Sequence, residues 1–128
     1  MPHSVPKVLL VSSSAELSEF FRQCLGRMRC RVHVAVPEAC EEILLRDKSP
    51  RIELVLLDMH AAMTRWRQIA QAARQVKPQP IPLLMILSEN AFDSETRHEL
   101  QASADAVLTT AEFSLPRFEA QLNALLQR

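Results

Sequence analysis

The sequence predicts a single α/β domain spanning residues 1–128, a five-stranded parallel sheet with helices on both faces, and three observations carry this. Val8-Leu9-Leu10-Val11, Ile52 to Leu57 and Ile81 to Leu87 are short, nearly continuous apolar runs rich in branched residues, as expected for strands covered on both sides. The stretches between such runs have the 3.6-residue period of helices, so the pattern reads β-α repeated. Five strands alternating with five helices in this length require right-handed crossovers between parallel strands, which gives a doubly wound, three-layer α/β/α sandwich.

The elements follow in order. After the first strand, Ser13-x-x-Glu16 has capping-box spacing, and Leu17, Phe20, Phe21, Cys24, Leu25 and Met28 form one helical stripe expected to face the core. Val32 to Val36 is the second strand, and Pro37 suits the first turn of the next helix. The third strand, Ile52 to Leu57, is followed by a helix whose buried stripe is Trp66, Ile69, Ala70 and Ala73. Ile81 to Leu87 is the fourth strand. Asp93 or Ser94 then starts a helix over Glu95 to Gln101 that offers little beyond Leu100 and should be loosely held. Ala106-Val107-Leu108 is the last strand. Ser114 before Leu115-Pro116 starts a fifth helix whose expected buried face is Leu115, Phe118, Leu122 and Leu125.

Composition removes several function classes. Fifteen basic and fifteen acidic residues cancel, so no global field attracts nucleic acid or an anionic membrane. The local cluster Arg22, Arg27, Arg29 and Arg31 sits where the first helix ends, where cations suit the helix dipole, and no aromatics interleave with it. Gly26 is the only glycine, which excludes G-x-G-x-x-G and the P-loop. No apolar run approaches the ~20 residues that span a bilayer, and the amino terminus lacks a signal-peptide core, so a cytoplasmic location is expected. The chain ends directly after the fifth helix, so no output domain is expected within it. Cys24, Cys30 and Cys40 show neither disulfide nor zinc spacing and are expected as buried free thiols. Cys40-x5-Arg46 matches a phosphatase loop only formally, since Glu41 and Glu42 oppose a reactive thiolate. His3, His33, His60 and His98 are scattered, and only His60 is placed to approach the strand ends.

In open α/β sheets the binding crevice lies beyond the carboxyl ends of the strands. Those ends are Ser12-Ser13, Asp58, Ser88 and Thr109-Thr110. With strand order 2-1-3-4-5, strands one, three, four and five would present them around one shallow pocket with Asp58 near its middle.

Four segments, in order and spacing, resemble the response-regulator receiver domain along essentially the full chain. KVLLVSSSAEL is similar to its first strand and acidic turn, and IELVLLDM to the strand carrying a phospho-acceptor aspartate. IPLLMILSEN is similar to the strand ending in a hydroxyl, and ASADAVLTTAEF to the segment ending in Lys-Pro. The resemblance implies the flavodoxin/CheY-like fold and a role in two-component signalling, with the phospho-acceptor position at Asp58 and the switch hydroxyl at Ser88.

The departures narrow this to an atypical receiver, a pseudo-receiver. Where the family has two Mg²⁺-binding carboxylates this chain has Ser12 and Ser13, a poor magnesium site, so no metal and no cofactor are expected. The family's lysine matches Thr110, followed by Ala111 in place of proline, and its aromatic switch position matches Val107. Two hydroxyls cannot compensate a phosphoryl group's charge as an ammonium would. The expected role is therefore a regulatory protein-interaction module, not an enzyme. The protein partner implied is a histidine kinase, an output domain or another signalling protein. A weak homodimer through the fourth helix, fifth strand and fifth helix is also expected, with Glu95, Arg97 and Glu99 of one copy facing Arg117 and Glu119 of the other. Two alternatives stand beside this reading: a conventional phospho-receiver using Asp58, and a flavodoxin-like ligand-binding or redox domain with Ser12-Ser13-Ser14 as a phosphate loop.

Overall fold

The structure, a computed structural model, describes residues 5–46, 51–60, 62, 64–77, 79–88 and 92–127, so His3 lies outside the described residues. Strands and helices alternate: β1 Lys7–Val11, α1 Ala15–Arg27, β2 Arg31–Ala35, α2 Pro37–Arg46, β3 Ile52–Asp58, α3 Trp66–Arg74, β4 Leu83–Leu87, α4 Ser94–Ser103, β5 Ala106–Thr109 and α5 Leu115–Leu126. All strand pairs are parallel, in the order β2-β1-β3-β4-β5.

The two-residue period of each strand sorts its side chains onto two faces. Leu9, Val11, Val55, Leu57, Leu83, Met85 and Leu87 pack with Cys40, Leu44, Trp66, Ile69 and Leu100, so α2, α3 and α4 cover that side. Val8, Leu10, Leu54, Leu56, Leu84, Ile86 and Leu108 pack with Phe21, Cys24, Leu25, Phe118, Leu122 and Leu125, so α1 and α5 cover the other. Each fully buried apolar side chain of this kind contributes about 1.5–3 kcal/mol.

Several boundaries differ from expectation for identifiable reasons. The N-cap of α1 is Ser14, not Ser13. Ser12 Oγ accepts the Ser14 N–H at 3.1 Å, delaying the helix by one residue, and Ser14 Oγ then accepts the Leu17 N–H at 3.2 Å. β4 starts at Leu83, not Ile81, because Pro82 lacks an N–H and the Ile81 N–H is taken by the Ala73 carbonyl at 2.9 Å. Val36 leaves β2 because its carbonyl already accepts from Ala39 in the first turn of α2, at 3.1 Å.

Some stripe positions are not core. Leu17 is 39% and Phe20 43% exposed, Met28 is half-buried, and Leu115 is exposed. Leu17 and Phe20 lie in the first two turns of α1, beyond the strand ends, where no sheet remains to cover them. Cys24 and Cys40 are buried free thiols, whereas Cys30 is only half-buried. Burial and then the Glu41 charge push the Cys40 thiol up to about 12, the opposite of a nucleophile's setting.

α4 buries only Leu100. Polar links supply the rest. Arg67 of α3 donates to both Glu99 oxygens at 2.7 and 2.8 Å while its guanidinium lies 4.5 Å from the Trp66 ring centre, and Arg74 donates to the Ser103 carbonyl at 3.2 Å. Within the chain, Glu99 pairs with Arg67 and Arg117 with Glu112.

Candidate functional site

The residues that end the strands share one parity. Ser12 follows Leu10, Asp58 follows Leu56, Ser88 follows Ile86 and Thr110 follows Leu108 at intervals of two, and all four predecessors face α1 and α5. The register that sets Val11 opposite Leu57, Asp58 opposite Ile86 and Ile86 opposite Leu108 aligns these ends across the sheet. Thr109, on the other parity, is buried toward α4, where its hydroxyl donates to Glu112 Oε1 at 2.9 Å.

Asp58 is the floor of the site and is 5% exposed. Its Oδ2 accepts from the buried Ser12 hydroxyl at 3.0 Å, and its Oδ1 accepts from the His60 backbone N–H at 3.0 Å. Both donors are neutral. Ser13 and His60 are exposed. Ser88 and Thr110 are exposed on the far side of Asp58, with the Thr110 backbone N–H held by the Leu87 carbonyl at 2.9 Å. Val107 is half-buried on the α4 side, beside Arg97 and Leu100 around a gap of about 70 Å³. It is thus separated from Asp58 by the sheet, and the structure brings together Ser12, Asp58, Ser88 and Thr110 but not Ser13 or Val107.

The donor set does not fit magnesium. Among the described residues no group of three or more His, Cys, Asp or Glu is placed to hold a metal ion, and the strand ends supply a single carboxylate, Asp58, beside hydroxyls. Magnesium asks for octahedral oxygen ligation drawn largely from carboxylates, phosphate and water. The serine loop is also committed internally: Ser12 holds Asp58 and the Ser14 amide, and Ser14 caps α1.

Above Asp58 lies a cleft of about 300 Å³ with Leu17, Phe20, Phe21, Ile86 and Phe113 as its apolar walls. Asp58, His60, Ser88 and Thr110 supply its polar edge. Phe20, Phe21 and Phe113 pack edge-on or tilted with centroids 5.3–6.0 Å apart, and Phe118 anchors the group from below at 5.5 Å from both Phe21 and Phe113. These walls were not legible as part of a site. The available signal was three large apolar residues in the two helical turns directly after the strand-end serines.

The architecture is that of response-regulator receiver domains. The chain is similar to the chemotaxis response regulator CheY4 of Vibrio cholerae, with a TM-score of 0.77 and 19% identity over 95% of this chain and 99% of that one. A response regulator receiver protein from Burkholderia phymatum superposes with a TM-score of 0.75 and 20% identity, covering 95% of each chain. A two-component response regulator from Clostridium difficile gives 0.76 and 17%, covering 96% of this chain and 97% of that one. No family model matches the sequence, and no curated protein matches it. No helix among the described residues is long and apolar enough to cross a membrane.

Proposed function

We propose that this chain is a receiver-type regulatory domain of two-component signalling that acts as a protein-interaction module in the cytoplasm, without Mg²⁺-dependent phosphoryl transfer and without enzymatic activity of its own. The observation that carries this reading is the state of Asp58. Its two oxygens are held by neutral donors in a cleft whose described lining residues include neither lysine nor arginine. A phosphoryl group there would add about two negative charges at pH 7 beside phenylalanines and hydroxyls, with no ammonium or metal ion to offset them. A carboxylate bonded to a buried serine is, in contrast, stable as it stands.

The partner is a histidine kinase, an output domain or another signalling protein, and the contact face we infer is α4, β5 and the exposed side of α5. α4, with one buried side chain, is the helix best able to adjust to a partner. The experiment is incubation with a small-molecule phosphodonor and Mg²⁺ followed by intact-mass measurement, with Asp58→Asn as the comparison. Unchanged mass is expected. A phosphoryl mass gained by the wild type and absent from Asp58→Asn would establish the conventional phospho-receiver in its place.

A further inference from the structure

We propose that the cleft above Asp58 is a binding site for a small organic cation, an ammonium group carried on an aromatic or aliphatic body. The inference goes beyond the regulatory role and rests on it in one respect, that Asp58 remains an unmodified carboxylate.

Size comes first. A volume of about 300 Å³ stands at the lower end of the range for small-molecule sites, so the occupant is the size of one aromatic side chain with a short tail. Surface chemistry comes second. Leu17 and Phe20 are exposed large apolar residues at a position where the helix could carry polar side chains at no cost to the core. Together with Phe21, Ile86 and Phe113 they give the cleft walls that water solvates poorly.

Charge comes third, and it selects among occupants. An anion would meet the Asp58 carboxylate with no lysine or arginine among the described lining residues, so phosphates, nucleotides and carboxylic acids are disfavoured. A neutral apolar body would fill the walls but gain nothing from the carboxylate at the floor. An ammonium satisfies both: each Asp58 oxygen accepts one described hydrogen bond and has a further lone pair for a charged donor. Phe20, Phe21 and Phe113 line the same cleft, and aromatic rings attract organic cations that reach them. The Ser88 and Thr110 hydroxyls at the rim can accept its remaining N–H bonds.

The test is a titration of the ¹⁵N-labelled full chain with 2-phenylethylammonium at about pH 8, beside 2-phenylethanol and 3-phenylpropionate as neutral and anionic analogues. Saturable shifts are expected at Leu17, Phe20, Asp58, Ser88 and Phe113. The cation should bind at least about tenfold more tightly than the alcohol, and the anion least, as one charge-assisted hydrogen bond implies. Asp58→Asn should bring the cation down to the affinity of the alcohol, whereas Phe20→Ala should weaken both. Because Phe20 is outside the core, that variant keeps the comparison usable if Asp58→Asn fails to fold. Equal binding of all three analogues, tightest binding of the anion, or no saturation by about 10 mM would overturn the proposal. So would shifts at these residues that follow protein dilution in place of ligand, which would make the cleft a contact between copies. Intact mass of the same sample separates the two readings. A phosphorylated Asp58 defeats the regulatory reading, while an unmodified protein that ignores the ammonium defeats only this one.

Discussion

α5 and α4 flank β5 on opposite faces of the sheet and are held by different forces. α5 buries Phe118, Leu122 and Leu125, and Phe118 also carries the aromatic cluster under the cleft. α4 buries Leu100 alone and relies on the Asp93 cap, the Arg67–Glu99 pair and the Arg74 bond to Ser103. Apolar burial involves no titrating group, whereas exposed ion pairs and caps respond to pH and are screened by salt. One receiver-type framework thus joins a fixed helix to an adjustable one, and both contribute to the face we assign to the partner.

The largest difference should appear on truncation. Phe118→Ala is expected to cost about 3–5 kcal/mol, read as a lower urea midpoint at unchanged slope, and to disturb the Phe20, Phe21 and Phe113 amides. Leu100→Ala should cost about 2 kcal/mol, the low end of the leucine range, because α4 can settle over the gap. Its main signature should be faster hydrogen exchange along α4 with α5 unchanged. Equal costs for the two substitutions would break the contrast.

Acid should separate the helices next. The hydrogen bonds from Arg67 hold the Glu99 carboxyl below its ordinary 4.5, and the Thr96 backbone N–H holds Asp93 below 3.8. A carboxyl lowered in the fold contributes stability above its unfolded value and loses it as pH falls through the folded value. From about pH 4.5 downward, hydrogen exchange should therefore show α4 losing protection before α5. Simultaneous loss would show that the polar links carry little of α4.

The smallest expected effects are at the caps. Asp93→Ala should speed exchange of the Thr96 amide and fray the first turn of α4. Ser114→Ala, although it removes the bond to the Arg117 amide, should leave α5 in place, because its first turn is held by Phe118. Fraying of α5 matching that of α4 would mean that packing does not compensate for capping there.

How much of this was legible follows from what each signal encodes. The alternation of continuous apolar runs with helical stripes determined the α/β class and the element order, because burial on two faces leaves no other pattern. Asp58 and its neighbours were legible as strand ends, since doubly wound sheets place sites there. The single buried leucine of α4 was likewise visible in Glu95 to Gln101. Periodicity, however, reports which side of a helix is apolar and not where the sheet beneath it stops. Leu17 and Phe20 therefore read as core, and only the packed structure shows them above the strand ends as walls of a cleft. The same limit hid the division of the polar positions: parity in the assembled sheet puts Ser12, Ser88 and Thr110 with Asp58 and turns Val107 and Thr109 toward α4. The partners of Asp58, one hydroxyl from forty-six positions away and one backbone amide two residues on, come from register and turn geometry, which exist only once the strands are paired.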